Sequence, residues 1–152
     1  MTMADPKALQ AAREWFDIAE GDLRSAKLLL EADPPEIRSA TFHCQQAAEK
    51  YLKGFLVVHG EEPPKIHILE VLLERAEQHD PSLPNLLGDA SVLTTFAVEP
   101  RYPLGGTSPR LSDARDALAR AGRIRDAIQA AIPELSQPAE EAESKQPEST
   151  SE

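Results

Sequence analysis

One arginine and one histidine, five residues apart, are of the types that could act on a phosphodiester. Arg38 and His43 form an Arg-x4-His pattern. Histidine can take or give a proton near neutral pH, and arginine can hold a phosphate with its forked guanidinium. Together the two side chains could cleave RNA through the 2′-hydroxyl. Five steps along an ideal helix separate the two side chains by ~140°, so a single chain would not bring them together, although a dimer could.

A stripe of polar residues continues from His43 along the same stretch. Gln46, Lys50 and Lys53 follow it at spacings of three, four and three. Their amide and ammonium groups are donors that a phosphate or a base edge could accept. The alternative is a solvated helix face on which Glu49 and Lys53 form a pair worth ~0.2–0.5 kcal/mol.

Metal or cofactor chemistry has little support in the sequence. The four histidines show no metal-ligand spacing, and the single cysteine, Cys44, has no partner. Cys44 falls among apolar residues, which predicts a buried, unreactive thiol. Neither a metal nor a cofactor is expected.

Helices must position these residues. The first is predicted to begin at Asp5-Pro6, and a second to follow Asp33-Pro34-Pro35 and to end near Gly60. Apolar residues recur along both at spacings of three and four, as in packed amphipathic helices. Further helices are predicted over about 67–79, 84–96 and 109–132. Period-two alternation is not convincing anywhere, so an all-α, up-and-down bundle of four or five helices is expected.

The C-terminal composition differs from that of the body. Residues 133–152 contain six Glu and one Lys, a net charge of −5, with few large apolar residues. Such a segment cannot offset its ordering entropy, so it is predicted to be a disordered acidic tail. The predicted bundle is one domain, residues 1–132. It also carries −5, from 20 acids and 15 bases, which argues against a strong, sequence-independent grip on nucleic acid.

The location of the protein is predicted from what the sequence lacks. No window approaches the ~20 apolar residues of a membrane span, and the N-terminus shows no apolar signal core. One cysteine cannot form an intramolecular disulfide, which fits a reducing compartment. A cytoplasmic protein without membrane contact is the expectation.

The second helix and the loop after it resemble the HEPN family, the higher eukaryote and prokaryote nucleotide-binding domain. The string QQAAEKYLK, residues 45–53, is followed by Gly60 and by His67 with Leu69. Phe42-His43 and a later Arg101-Tyr102-Pro103 also match the family pattern. The resemblance covers about residues 10–130.

This resemblance implies a compact helical bundle that commonly forms a homodimer. Many prokaryotic members act beside a minimal nucleotidyltransferase, as a two-component or toxin–antitoxin pair. Some are metal-independent ribonucleases with an Arg-x4-6-His motif at a dimer interface, usually near the last long helix. Here Arg101 stands at that place, but the next six residues, YPLGGT, include no histidine. Arg101 and Tyr102 are therefore candidates for phosphate binding, or for packing and pairing in a structured loop.

Three functions follow as hypotheses. The preferred one is a HEPN-like accessory protein that binds a nucleotide or RNA and acts with a minimal nucleotidyltransferase. The second is a metal-independent ribonuclease toxin that uses Arg38 and His43. The third is a helical dimerisation module without nucleotide affinity. The acidic balance and the absence of a histidine after Arg101 favour binding over catalysis.

Overall fold

The computed structural model describes residues 4–97 and 108–136, which form five α-helices. These helices are α1 (Pro6–Glu31), α2 (Ile37–Val58), α3 (Leu69–His79), α4 (Leu87–Thr94) and α5 (Leu111–Ala131). A short 3-10 turn, Pro133–Ser136, follows α5. No strand occurs in the two described ranges, so the all-α class predicted from the sequence is confirmed.

Helix α2 is the centre of the bundle. It packs against α1, α3, α4 and α5, and most of its residues are buried. A helix that is covered on several sides needs small or apolar residues nearly all round. Gly54 meets this need towards α1, because a β-carbon there would lie 2.7 Å from the Phe16 ring. Several polar residues of α2 are therefore buried between helices, where water cannot satisfy their hydrogen bonds.

Helix α1 packs along α2, and both apolar stripes predicted from the sequence lie in the core. Phe16 stacks on Tyr51 with ring centroids 5.8 Å apart. The hydroxyl of Tyr51 donates to the carboxylate of Glu20 on α1. Cys44 is fully buried and free, and burial raises the pKa of its thiol to about 12. The apolar pattern thus correctly predicted that Cys44 is buried.

Helices α3, α4 and α5 begin later, or end earlier, than the sequence patterns indicated. Helix α3 begins at Leu69 instead of residue 67, where the Leu69 amide donates to Oγ1 of Thr94 at 3.1 Å. That bond caps α3 with a residue from α4, a long-range partner that a local pattern cannot reveal. Helix α4 has eight residues instead of the predicted thirteen. Helix α5 begins at Leu111, two residues after the predicted start.

The folded part extends beyond the predicted boundary at residue 132. In the turn Pro133–Ser136, Leu135 packs against the core and the carbonyl of Glu134 accepts a hydrogen bond from Arg13 at 3.3 Å. The rest of the predicted tail, residues 137–152, lies outside the described residues. None of the helices in the described ranges is long and apolar enough to cross a membrane.

Candidate functional site

The carboxylate of Asp22 on α1 joins two polar residues of α2. Its Oδ1 atom lies 2.9 Å from Nδ1 of His43, and its Oδ2 atom accepts from Nζ of Lys50 at 2.7 Å. The Asp22 side chain is 11% exposed, whereas those of His43 and Lys50 are 33% and 20% exposed. A nearly buried acid therefore holds two partly exposed cationic or protonatable groups side by side. We call these three residues the Asp22 centre.

Helix geometry explains why α2 can present both partners to one carboxylate. His43 and Lys50 are seven residues apart, which is close to two full turns, so both side chains project from the same side of α2. Asp22 lies beside Leu23, at the edge of the apolar stripe of α1 that faces α2. The sequence analysis did not single out Asp22, although an acid at the border of a buried stripe can indicate a polar contact with the neighbouring helix.

The Asp22 centre orients the imidazole ring. A carboxylate accepts hydrogen bonds and does not donate them, so Nδ1 of His43 carries the proton in this contact. The other ring nitrogen, Nε2, is then left to accept or release a proton, or to bind an anion when protonated. The ammonium of Lys50 has two further N–H groups beyond the one that Asp22 accepts. Together these groups can bind an anionic oxygen or assist proton transfer.

A second polar network lies deeper along the same helix. Glu49, 4% exposed, accepts from Nζ of Lys53 at 3.3 Å and contacts Nδ1 of His67 at 2.8 Å. The amide of the buried Gln45 lies 3.4 Å from the same carboxylate. Removing one partner of such a set would leave a buried charge or donor unsatisfied. We infer that this network holds α2 to the segment before α3.

The residues of the predicted polar stripe on α2 differ in exposure: Lys53 is buried, and Gln46 and Lys50 are partly exposed. Lys53 is only 6% exposed and pairs with Glu49, so the solvated-face interpretation of that pair is wrong. Gln46 is half-buried and donates to Oε1 of Gln45 at 2.7 Å. Lys50 joins the Asp22 centre. The accessible part of the stripe is therefore His43, Gln46 and Lys50, which are partly exposed.

The remaining candidates are not brought to the Asp22 centre. Arg38 is half-buried, and its position on α2 is ~140° round the axis from His43. Its backbone carbonyl accepts from the hydroxyl of Thr41 at 2.9 Å. Arg101 and Tyr102 lie outside the described residues. No group of three or more His, Cys, Asp or Glu in residues 4–97 and 108–136 is placed to hold a metal ion.

Comparison with known proteins decides the family. The family model of the HEPN domain matches residues 12–131, which is most of the chain and includes the Asp22 centre. The chain belongs to the HEPN family. No curated protein matches it.

Two solved structures share the HEPN fold of this chain. TT1696 from Thermus thermophilus is 28% identical with a TM-score of 0.68, over 78% of this chain and 96% of that one. ST0689, described as an archaeal HEPN homologue, is 26% identical with a TM-score of 0.61, over 80% of this chain and 97% of that one. Both neighbours are thus spanned almost completely by this HEPN bundle.

Proposed function

We propose that this HEPN protein is an accessory module that binds a nucleotide or RNA and acts with a minimal nucleotidyltransferase. The observation that carries the binding proposal is the Asp22 centre, where one buried carboxylate fixes His43 and Lys50 side by side. Gln46 adds an amide between them. Lysine, histidine and glutamine donors on one helix face suit phosphate oxygens and base edges.

The charges of the Asp22 centre are nearly balanced, because the Lys50 ammonium lies 2.7 Å from the Asp22 carboxylate. Binding of a phosphate at this centre would therefore rely on directed N–H donors from Lys50 and Gln46 more than on net positive charge.

The partner is proposed from the family. Many HEPN proteins act beside a small nucleotidyltransferase, and we expect the same here, with a homodimer of this chain on the HEPN side. Under this proposal the isolated chain binds without cleaving. Purification with a nucleotidyltransferase chain from the same genome tests the assembly, and a failure to form a complex would remove the partner but not the binding site.

The binding experiment compares two lysines that differ in their surroundings. We expect Lys50→Gln to weaken binding of a labelled single-stranded RNA and to reduce the salt slope by about 0.7, the change for one lost phosphate contact on a single strand. Lys65→Gln removes an exposed cation away from the Asp22 centre and is the matched control. Fluorescence anisotropy at several salt concentrations measures both. Equal behaviour of the two variants would reject the Asp22 centre as the binding site.

A second candidate function is metal-independent RNA cleavage with His43 as the proton-transfer group. The Asp22–His43 contact at 2.9 Å favours it, because a carboxylate on Nδ1 leaves Nε2 ready to act as a base. The position of Arg38 on the other side of α2 counts against it within one chain. Cleavage of RNA without added metal, abolished in His43→Ala and in Asp22→Asn, would establish this activity in place of simple binding.

A further inference from the structure

Helices α1 and α5 enclose a groove that carries positive charge on a chain of net charge −10. Its volume is ≈310 Å³, and its rim holds Lys27 from α1 with Arg115 and Arg125 from α5. In the two described ranges, Lys27 and Arg115 have no ion-pair partner. Arg125 donates through Nε to Asp126 at 3.0 Å. We call this feature the basic groove.

The basic groove stands out against the other arginines of α5. Arg120 and Arg123 turn towards α4 and bind the carboxylate of Asp89. The sequence pattern suggested that the arginines of this helix spiral round it without forming a patch. The structure corrects this interpretation, because α4 neutralises two of them and Lys27 of α1 joins two others.

The rest of the lining of the basic groove is apolar or without a side chain. We call this part, Leu23, Leu118, Ala119 and Gly122, the floor. Gly122 opens the floor, since a β-carbon at that position would meet nothing within 4 Å. An occupant must therefore bring carboxylates or other anions for the rim and small apolar groups for the floor.

We propose that the basic groove is the docking site of the acidic segment of the same chain, residues 137–152. This segment carries five Glu and one Lys, a net charge of −4, against the three cations of the groove. Ala139 and Ala142 alternate with Glu140, Glu141 and Glu143, so the segment supplies small apolar groups beside its carboxylates. The proposal does not depend on the Asp22 centre.

The path of the chain makes this docking feasible. Helices α1 and α5 are antiparallel, since Arg13 lies beside Glu134 while Lys27 and Arg115 share the groove. Along α5, Arg125 and Arg115 lie ~9 and ~24 Å before Ala131, at 1.5 Å per residue. Glu140 to Glu143 can reach ~13 to ~23 Å beyond Ser136 at ~3.3 Å per residue. The carboxylates of Glu140 to Glu143 can therefore reach the cations of the groove.

The tether itself favours docking. A tethered segment has an effective local concentration of order millimolar, so weak contacts suffice to occupy the groove. Because exposed charges are screened by salt, the docked state should be lost as ionic strength rises.

A spin label tests the proposal on the full chain. Cys44 is fully buried with a raised thiol pKa, so a nitroxide can be attached selectively to Ser144→Cys. At low salt we expect the amide signals of Gly122 and Ala119 to lose more than half of their intensity in the paramagnetic form. The signals of Leu72 and Leu73 on α3 should keep theirs. In 1 M salt the loss at the groove should disappear.

Matched variants distinguish an effect of the groove cations from an effect of the net charge of the chain. Lys27→Gln with Arg115→Gln should abolish the loss of signal, whereas Arg75→Gln with Lys65→Gln, which removes the same charge at and before α3, should preserve it. Gly122→Leu fills the floor without touching a cation and should also abolish it. Unchanged signals at Gly122 and Ala119 in the labelled chain, or a loss that survives the groove variants, would overturn the proposal.

Two further results would assign the groove to another occupant. The first is a loss of signal that appears only between differently labelled chains in a mixed sample, which would place the segment on a second copy. The second is a shift of the Gly122 signal by ATP or single-stranded RNA, with no effect of the spin label. Either result would overturn docking within one chain.

Discussion

At the scale of single residues, Asp22 on α1 and Cys44 on α2 show opposite consequences of burial. Asp22 keeps two polar partners in reach, so its carboxylate can organise His43 and Lys50. Cys44 lies in the apolar core, where nothing stabilises a thiolate. Two residues near each other along the bundle thus differ in chemistry because their surroundings differ.

We expect the Cys44 thiol to resist a thiol-specific reagent in the folded protein at pH 8 and to react on unfolding in urea. Burial raises its pKa from 9.0 to about 12. Between these values the unfolded chain loses the proton and the folded chain keeps it, so this group lowers stability as pH rises from ~9 to ~12. Absorbance with a disulfide reagent measures the reaction, and rapid reaction of the folded protein would contradict the prediction.

At the scale of helices, Asp89 attaches α4 to α5. Arg123 donates to its carboxylate through Nε and Nη2, and Arg120 through Nη1 at 3.1 Å. Hydrogen bonding from Arg123, aided by the positive charges of Arg123 and Arg120, lowers the pKa of Asp89 from 3.8. This ion cluster joins α4 to α5 beside the buried apolar contacts of Ala90 and Leu93.

We expect Asp89→Asn to reduce the free energy of unfolding at pH 7 by about 1–2 kcal/mol, since charged hydrogen bonds to half-exposed arginines are lost. A depressed pKa gives stability that is present above pH ~3.8 and is lost below it as the folded carboxylate is protonated. The difference between wild type and variant should therefore shrink in urea titrations below pH 4. Asp17→Asn, on an exposed acid of α1 that forms no ion pair with another described residue, is the control and should cost less than ~1 kcal/mol.

We expect substitution by alanine to have opposite effects on stability at two helical glycines, Gly54 and Gly122. Gly54→Ala places a β-carbon 2.7 Å from Phe16, so we expect a destabilisation of about 1–3 kcal/mol from overpacking at the α1–α2 contact. Gly122→Ala meets open space in α5 and should stabilise by up to ~1 kcal/mol through helix propensity. Thermal unfolding of both variants tests this, and equal shifts in Tm would show that the close contact has no energetic consequence.

At the scale of the whole molecule, the family suggests a homodimer and the surface offers apolar area for it. Ile18 and Leu28 on α1 are 55% and 67% exposed. We expect light scattering after size exclusion to give twice the chain mass of 16.6 kDa. A mass of one chain at high micromolar concentration would contradict the dimer and leave the bundle as a monomeric module.

The sequence by itself determined the class of fold and the identity of the core. Apolar spacings of three and four placed Ala12, Phe16 and Leu23 on one face of α1, and they are buried. Proline and glycine marked the ends of the long helices within a few residues. These are local properties, because periodicity and capping act within a turn or two of the chain. The family string on α2 likewise is a local pattern, and the match over residues 12–131 confirms it.

Only the tertiary structure decided which polar residues act together. Asp22 and His43 are 21 residues apart, and Lys27 and Arg115 are 88 apart, so no local pattern relates them. Lys53 and Lys50 look alike in the sequence, yet one pairs in the interior with Glu49 and the other contacts a carboxylate of α1. The physical reason is that burial and charge pairing depend on which helix packs against each face, and that is a property of the whole bundle.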